Sequence, residues 1–433
     1  MSTRNLLART PPMGWNSFDN FCCAITEKQV KQQADAMAKL LAPYGWKYFV
    51  IDAGWYGGPG TPVGETMDEY GRYWPSPEWF PSAANGAGLK PLADYVHGLG
   101  LRFGLHIMRG IPRTAVEKNL PILGSSQRAA DIANKNSVCQ WSPQMWGLDM
   151  SKAGSRAYYT SLVQLYAQWD IDFIKMDDMV GALLPGQTQA PYYAEEAEAI
   201  EQAVKAVGRP IVLSISPGDF TEPSFSARMS EHTEMARISA DFWDRWIDIK
   251  RQFNQCHLWS PFIGNGFWPD ADMLPLGRIG GGHEEAPKGH GPEHETLLTP
   301  TEQRTLMTLW CMARSPLILG GNMTELRPDT LALLTNPEVL EVNQASCNNR
   351  QLFRYGDTIA WIADVMSGPD KYLAVFNASD EGPQEIEIPL SSLGAHGPCY
   401  LRDLWTRTDL GPVEGSFRPK VPAHGCMLYR VRP

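Results

Sequence analysis

The chain has 433 residues and a formal net charge of −10, and 43% of its residues are hydrophobic and 20% are charged. This composition is typical of a soluble globular protein with one large domain and a smaller one. The acidic net charge argues against nucleic acid or an anionic membrane as partner, because phosphate binding needs clustered Lys and Arg. The sequence contains no run of about 18 apolar residues, so it predicts no membrane-spanning helix.

Short apolar segments alternate with longer helical patterns up to residue 346. Such alternation is the signature of βα units around a parallel sheet. The predicted strands are Pro12–Trp15, Tyr48–Trp55, Arg102–Met108, Phe173–Asp178, Pro210–Ser216, Ala236–Asp241, Gly266–Leu274 and Pro316–Asn322. Eight strands predict a closed (β/α)8 barrel, a TIM barrel.

Between the strands, apolar residues recur with helical spacing. The predicted helices include Thr26–Leu41, Ser155–Trp169, Tyr192–Val207 and Thr301–Ala313, with Thr26 as one cap and Thr299 or Thr301 as another. Two Gly- and Pro-rich segments, Gly57–Asn85 and Arg278–Glu295, are predicted to be long loops. The second contains His283, His290 and His294, which could bind a metal or contact a subunit; we expect this loop simply to be flexible.

The pattern changes near Asn348, where apolar and polar residues begin to alternate between Gly, Asp and Pro turns. That alternation, without helical periodicity, predicts an antiparallel β-sandwich. We therefore expect a catalytic barrel over residues 1–346 and a C-terminal β-sandwich over residues 347–433.

In a (β/α)8 barrel the active site lies at the carboxyl ends of the strands. The residues predicted near those ends are Trp15, Asp52, Trp55, His106, Lys175, Asp177, Asp178, Ser214, Ser216, Arg237, Asp241, Asp270 and Asp272. Taken singly, most have a structural explanation: we expect Asp178 to hydrogen-bond in a loop and Asp270 to brace one, and His106 is as well explained by the core as by a site. The convergence of carboxylates from four strands is what predicts chemistry.

Two of these carboxylates suit the two roles of a retaining glycosidase. Lys175 and Asp177 are two residues apart and share a strand face, so the ammonium should keep Asp177 ionised, as a nucleophile requires. Asp241 is the candidate acid/base, with a pKa raised by burial or by the charge of Asp177. Carboxyl groups about 5–5.5 Å apart would give retention, and about 6.5–9.5 Å inversion.

Four motifs in this order resemble glycoside hydrolase family 27, the α-galactosidase and α-N-acetylgalactosaminidase family. They are TPPMGWNSF, FIKMDD, RISADFWDRW and WPDADML, and the likeness runs from about Thr10 to Asn343. The resemblance implies a barrel followed by a C-terminal β-sandwich, Asp177 as nucleophile after Lys175, Asp241 as acid/base after Arg237, and Asp272 in contact with the sugar. It also implies that the chemistry needs no metal or organic cofactor.

The chain departs from the family pattern at positions that would contact the sugar. Family α-galactosidases usually have a second acidic residue after the strand 2 aspartate, whereas Asp52 is followed by Ala53. His106 replaces a family tyrosine, Phe18 replaces a tryptophan, and Ser216, near the C2 substituent, resembles the N-acetylgalactosaminidase pattern. The segment at residues 109–124 has no counterpart in the familiar members, and we expect it to reshape the pocket rim.

The expected substrate is a small oligosaccharide or glycoside, with a terminal α-galactoside favoured. A β-L-arabinopyranoside, which lacks the C6 carbon, is the next alternative, followed by an α-N-acetylgalactosaminide. The loss of a hydroxyl-binding carboxylate should change substrate preference.

Two other classes of function stay open. A metal-dependent barrel enzyme could use His106, Asp177, Asp178 and Asp272 as ligands, although the adjacent Lys175 would repel a metal. A non-catalytic carbohydrate-binding protein could keep the fold, although the joint presence of Asp177, Asp241, Lys175 and Arg237 argues against lost catalysis. The sequence leaves a homo-oligomer open.

Eight cysteines are scattered along the chain, with no CxxC pair. The N-terminal segment has no apolar stretch of the kind found in secretory signals. Two cysteines that form disulfides in secreted family members correspond to Gly54 and Met179. We therefore expect buried thiols in a reducing, cytoplasmic compartment.

Overall fold

The computed structural model describes residues 7–57, 64–181, 190–216, 222–280, 292–395 and 397–432. Its first part contains eight parallel strands in one curled sheet. They are β1 Met13–Asn16, β2 Tyr48–Ile51, β3 Arg102–Met108, β4 Phe173–Asp177, β5 Val212–Ile215, β6 Met235–Arg237, β7 Trp268–Asp270 and β8 Leu317–Leu319.

The strands follow the order β7-β6-β5-β4-β3-β2-β1-β8. A parallel bridge between Leu274 and Leu319 joins the chain after β7 to β8, so the two edges of the sheet meet. Close packing of the strands depends on small residues: a Cβ on Gly14 in β1 would lie 2.1 Å from the carbonyl oxygen of Tyr48 in β2. The predicted (β/α)8 barrel is confirmed.

Each barrel strand is followed by a helix. The helices are α1 Glu27–Leu40, α2 Lys90–Gly98, α3 Ala153–Gln168, α4 Ala194–Val207, α5 Ser226–His232, α6 Trp246–Trp259, α7 Pro300–Met312 and α8 Pro337–Ala345. Shorter helices lie at Phe18–Phe21, Arg113–Glu117, Ala129–Ile132 and Pro328–Leu334. Thr26 caps α1 in a capping box with Gln29, and Thr299, rather than Thr301, caps α7 with Glu302.

Three of the predicted strands end four residues earlier than expected. The strand predicted over Gly266–Leu274 stops at Asp270 because Asp272 has φ 83°, which an extended strand cannot include. The strand predicted over Tyr48–Trp55 stops at Ile51, before a turn in which Gly54 has φ 90°. The strand predicted over Ala236–Asp241 stops at Arg237, so Asp241 lies in the following loop and not at a strand end.

A small antiparallel sheet is inserted between β3 and α3. It consists of Ile111–Pro112, Ala133–Val138 and Met145–Leu148. The segment expected to reshape the rim, residues 109–124, supplies the first of these strands and the helix Arg113–Glu117.

The C-terminal part is an antiparallel sheet of six strands. They are β9 Ser346–Tyr355, β10 Thr358–Val365, β11 Lys371–Asn377, β12 Cys399–Asp403, β13 Thr408–Val413 and β14 Gly425–Arg432, in the order β9-β10-β11-β14-β12-β13. Two short pairs, Gln384–Glu385 with Lys420–Val421 and Ile388–Pro389 with Ser416–Phe417, cover one face over a separate apolar core. β9 begins beside the predicted division at residues 346 and 347, and that domain boundary stays a prediction.

The other face of this sheet packs on the barrel. Trp361 and Leu428 belong to the same apolar core as Trp310 of α7. The Thr308 hydroxyl of α7 also lies 3.1 Å from Cys426 Sγ of β14. The C-terminal sheet therefore supports the α7 side of the barrel.

Candidate active site

Polar side chains from β2, β3 and β4 meet at the carboxyl end of the barrel. His106 of β3 lies directly opposite Lys175 of β4 in the strand register, so the two side chains share the inner face. Asp52, which follows β2, is also buried beside them. The three were predicted from separate stretches of sequence, and the parallel register brings them together.

Lys175 and Asp52 form a buried ion pair. Lys175 Nζ donates to Asp52 Oδ2 over 2.8 Å, and Asn16 Nδ2 donates to the same oxygen over 2.7 Å. Burial acts to raise the pKa of Asp52, but the positive charge and the hydrogen bond of Lys175 outweigh it and hold that pKa below its ordinary value. Burial acts to lower the pKa of Lys175, and Asp52 and Asp177 reverse that effect and raise it. Both groups are therefore charged at neutral pH.

Asp177 takes its hydrogen bonds from other groups. His106 Nε2 donates to Asp177 Oδ2 over 3.0 Å, and the backbone N–H of Asp178 donates to Oδ1 over 2.8 Å. The sequence suggested Lys175 as its neighbour, but the lysine bonds to Asp52 and acts on Asp177 only through its charge. Asp177 is thus an oriented carboxylate with 15% of its side chain exposed.

Arg237 connects the residues of the opposite wall. Its Nη2 lies 2.7 Å from Asp241 Oδ1 and 3.0 Å from Asp272 Oδ2, and its Nη1 donates to Ser216 Oγ over 3.2 Å. Burial acts to lower the pKa of Arg237, and Asp272, Asp241 and Asp177 raise it above its ordinary value. Arg237 is therefore a fixed cation within electrostatic reach of both proposed catalytic carboxylates.

The environment of Asp241 differs from the one that the sequence predicts. We expected burial to raise its pKa, but its side chain is 60% exposed and hydrogen-bonded to Arg237. The reason is its position in the loop after β6, where the chain has already left the barrel wall. The burial that the expectation required is therefore absent at Asp241.

Asp270, the last residue of β7, and Asp272, two residues further on, make hydrogen bonds that brace the chain. Asp272 Oδ2 accepts the backbone N–H of Phe242 over 2.8 Å, which ties the Asp241 loop to the end of β7. Asp270 Oδ1 accepts the N–H of Asp272 over 2.9 Å, consistent with the expected bracing of this loop. Burial, reinforced by the charge of Asp272, raises the pKa of Asp270 to about 7.

Trp15 and Trp55 are packed beneath the site. They are 0% and 1% exposed, and their indole N–H groups donate to the carbonyl oxygens of Gly321 and His106. Trp15 thereby holds the loop after β8 and Trp55 is tied to β3, and their predicted contact with substrate stays a prediction.

A buried ionic cluster that the sequence analysis missed supports Asp177 from behind. The Arg109 N–H donates to the carbonyl oxygen of Asp177 over 3.1 Å, and Arg109 Nε donates to that of Asp178 over 2.7 Å. Its guanidinium also meets Asp178 Oδ2 at 3.0 Å and Glu196 Oε1 at 3.2 Å, and stacks on Tyr193. An arginine immediately after β3 was the available signal.

Asp19 was missed as well. Its side chain is fully buried, and neither carboxyl oxygen has a hydrogen-bond partner within the described parts of the chain. Burial, followed by the charge of Asp272, raises the pKa of Asp19 well above its ordinary value. Asp19 is therefore a buried carboxyl group whose ionisation is opposed by its surroundings, in the short helix after β1.

The histidine-bearing loop is described only at its ends. Arg278–Ile279 pairs with His294–Glu295, and His294 Nε2 lies 3.0 Å from Asp244 Oδ2. His283 and His290 lie outside the described residues. In the described ranges, no group of three or more His, Cys, Asp and Glu side chains is arranged to hold a metal ion, and no helix is both long and apolar enough to cross a membrane.

Comparison with known proteins agrees with this architecture. The family model described as alpha galactosidase A matches residues 10–122 and 148–345, and the model of the alpha galactosidase C-terminal beta sandwich domain matches residues 355–431. The unmatched residues 123–147 contain the strand Ala133–Val138 of the inserted sheet and all but the last residue of Met145–Leu148. We expected residues 109–124 to have no counterpart in the family, but the family model matches residues 109–122 of this segment.

The chain is 45% identical to the crystal structure of a β-L-arabinopyranosidase of family 27 from Geobacillus stearothermophilus, with a TM-score of 0.94 over 99% of this chain and 98% of that one. A variant of that enzyme in complex with arabinose is 44% identical, with a TM-score of 0.93 over 100% and 99% of the two chains. Alpha-galactosidase 3 of Arabidopsis thaliana is 27% identical over 443 aligned positions, which cover 100% of this chain and 84% of that protein.

Proposed function

This chain belongs to glycoside hydrolase family 27 and is a glycoside hydrolase, and we propose that it removes terminal sugar residues with retention of anomeric configuration. The observation that carries this mechanism is the placement of two carboxylates with different environments around Arg237. An oriented, largely buried Asp177 and an exposed Asp241 both lie within the electrostatic reach of that one guanidinium.

In the proposed first step a carboxylate oxygen of Asp177 attacks the anomeric carbon. The bond from that carbon to the glycosidic oxygen breaks, and Asp241 gives its proton to the departing oxygen. In the second step Asp241 takes a proton from water, the water oxygen attacks the anomeric carbon, and the bond to Asp177 breaks. His106 and the Asp178 N–H hold the attacking carboxylate in one orientation throughout.

The protonation of Asp241 is assigned to the bound state. The side chain of Asp241 is 60% exposed. A sugar seated over Asp241 would exclude water from it and oppose its ionisation, as burial does for other carboxyl groups. Substrate binding would thereby favour the protonated form of Asp241 that the first step requires.

The remaining polar residues are assigned to sugar recognition. Asp52 and Lys175, as a rigid charged pair, offer an acceptor and a donor to neighbouring hydroxyls of the sugar. Ser216, Arg237 and Asp272 would hold the side of the sugar that carries the C2 substituent. No step in this scheme requires a metal or an organic cofactor.

The preferred glycone is a β-L-arabinopyranoside, with a terminal α-galactoside as the second candidate. The sequence alone favoured the galactoside, and the 45% identity to an arabinopyranosidase over nearly the whole chain reverses that order. Ala53, which follows Asp52, has no carboxylate for a C6 hydroxyl, and arabinopyranose lacks that hydroxyl. The α-galactosidases among the relatives keep the galactoside as an alternative.

A panel of p-nitrophenyl glycosides tests the activity and the preference together. We expect the highest kcat/KM for the β-L-arabinopyranoside, a lower value for the α-galactoside, and the lowest for the α-N-acetylgalactosaminide. A higher kcat/KM for the galactoside would restore the order that the sequence suggested. Hydrolysis of none of the three would favour a non-catalytic carbohydrate-binding protein, and sensitivity to EDTA would favour a metal enzyme.

The thiols support a reducing, cytoplasmic location. All eight cysteines are free, and burial raises the pKa values of Cys22 and Cys23 to about 12, so neither is a reactive thiolate. Thiol titration of the denatured protein, purified without reductant, should give eight thiols per chain; disulfides would argue against this location.

A further inference from the structure

The inserted sheet between β3 and α3 contacts the residues behind the proposed nucleophile. Residues 123–147, which include most of this sheet, have no match in the family model. Ser137 Oγ accepts a hydrogen bond from Arg109 Nη1 over 2.9 Å. The thiol of Cys139 hydrogen-bonds to the carboxyl group of Asp178. The insertion is therefore joined to the chain that leaves β3 and to the chain that leaves β4.

Both contacts are enclosed and closely packed. Cys139 is 5% exposed, and two backbone N–H groups of the turn that follows it donate to its sulfur. A Cβ on Gly147, in the neighbouring strand, would lie 2.6 Å from Arg109 Nη1 and would also clash with Ser137 Oγ. The absence of a side chain at Gly147 thus lets the inserted sheet approach the guanidinium.

Arg109 connects these contacts to the nucleophile through the backbone. Its N–H donates to the carbonyl oxygen of Asp177, and its Nε donates to that of Asp178. Asp178 has φ 60°, a left-handed conformation that costs a non-glycine residue free energy. The N–H of Asp178 is also one of the donors that orient the Asp177 carboxylate, 2.8 Å from Oδ1. A shift of the backbone at Asp178 would therefore move the attacking oxygen.

The barrel and the insertion hold the guanidinium in different ways. From the barrel, Glu196 Oε1 meets Arg109 at 3.2 Å, and the ring of Tyr193 stacks on it at 3.4 Å. The barrel therefore balances the charge of Arg109, which is 1% exposed. The insertion adds neutral hydrogen bonds, through Ser137 and Cys139. Removal of these two side chains would leave every charge of the cluster paired, so the protein should still fold.

We propose that the inserted sheet positions the nucleophile, Asp177, with Ser137 and Cys139 as its positioning residues. The inference rests on the proposed function, because it takes Asp177 as the nucleophile. In this role neither side chain touches the sugar. A small displacement of an attacking atom lowers the rate of the chemical step strongly, whereas affinity for the sugar depends on the groups that bind its hydroxyls. Loss of positioning should therefore slow the attack and leave sugar binding unchanged.

The test variant is S137A/C139A, which removes both hydrogen bonds and leaves Arg109 in place. The conservative variant is C139S, which keeps a hydroxyl donor for Asp178. Thermal unfolding establishes that each variant is folded. If the double variant is not folded, Ser137→Ala alone carries the test.

The matched control is N136A/S142A, which also replaces two polar side chains of the insertion. Asn136 is exposed on the same strand as Ser137. The hydroxyl of Ser142 hydrogen-bonds to Gln144 Oε1 over 3.4 Å and not to the cluster behind the nucleophile.

Two measurements separate positioning from binding. The rate constant for inactivation by an activated 2-deoxy-2-fluoro glycoside reports the attack by Asp177, and the inhibition constant of the free monosaccharide product reports sugar binding. For S137A/C139A we expect the inactivation rate constant to fall about tenfold and the inhibition constant to stay within about twofold of wild type. C139S and N136A/S142A should keep both values within about twofold.

A wild-type inactivation rate in S137A/C139A, a parallel weakening of sugar binding, or an equal loss in either of the other two variants would overturn the positioning role. Failure of the proposed function gives a different result, because the wild-type enzyme would then resist the reagent or carry the sugar on a residue other than Asp177.

Discussion

Lys175 Nζ lies 2.8 Å from Asp52 Oδ2, although Lys175 shares a strand face with Asp177. The lysine thus links β4 to the loop after β2, and the proposed nucleophile is left to His106 and a backbone N–H. Charge and orientation at Asp177 therefore come from different residues, and substitutions should separate them.

The first such substitution concerns the proposed nucleophile, Asp177. Asp177→Ala should lower kcat by about 10⁴-fold or more, as the loss of a nucleophile does in other enzymes. Azide can occupy the vacated position and should restore part of the rate with an activated aryl glycoside, giving a glycosyl azide of inverted configuration. Asp177→Asn removes the charge with little change of shape, so it should stay folded and bind sugar without turnover. A near-wild-type rate for Asp177→Ala would show that the nucleophile is misassigned.

Substitution of the proposed acid/base, Asp241, should have a different effect. Asp241→Ala should lower kcat/KM by about 10²–10⁴-fold for methyl or sugar leaving groups, which need protonation, and far less for dinitrophenyl glycosides. A plot of log kcat/KM against leaving-group pKa should therefore be steeper for the variant than for the wild type. Parallel plots would remove Asp241 from this role.

The Lys175–Asp52 pair should matter for stability as well as for binding. Lys175→Met leaves the buried Asp52 carboxylate without its cation, which typically costs about 3–5 kcal/mol. Denaturant unfolding should show a loss of this size, and the double variant K175M/D52N, which removes both charges, should regain part of it. A single variant as stable as the wild type would mean that the two charges do not depend on each other.

The cluster behind Asp177 predicts a pH dependence of stability. Burial raises the pKa of Asp178 from its ordinary value of 3.8 to about 7, and the charge of Arg109 only partly opposes this effect. Between about pH 4 and pH 7 the folded protein holds a proton that the unfolded chain has lost. The contribution of this group to stability therefore falls as pH rises through that window and is fully present below it.

Asp178→Asn cannot ionise, and asparagine tolerates the φ of 60° at this position. As pH rises from 4 to 7, the Tm of the variant should increase relative to the Tm of the wild type. Above pH 7, the difference between the two Tm values should change little. Asp94→Asn, in a surface ion pair, is the control and should show no such trend. A constant Tm difference across the range would contradict a raised pKa at Asp178.

The barrel was predictable because its signals are local. Strands and helices differ in apolar period, and the register of a parallel sheet then brings Asp52, His106 and Lys175 to one end. The hydrogen-bond partners were not predictable in the same way. Whether Lys175 bonds to Asp52 or to Asp177 depends on side-chain geometry across strands, which no spacing along the chain encodes.

Other parts of the site depended on backbone detail. The apolar run through RISAD favours a longer strand, but the chain turns away after Arg237, and that turn exposes Asp241. The Arg109 cluster joins residues from three distant segments, and Asp19 is conspicuous only once its burial is known. The family resemblance supplied roles for Asp177 and Asp241 but not their surroundings.

The most direct test of the account is to trap the covalent intermediate. The wild-type enzyme would be incubated with an activated 2-deoxy-2-fluoro glycoside of its preferred sugar, digested, and mapped by tandem mass spectrometry. We predict one added sugar per chain, on the carboxylate of Asp177. A sugar on any other residue, or full turnover without any adduct and with inversion at the anomeric carbon, would contradict the account.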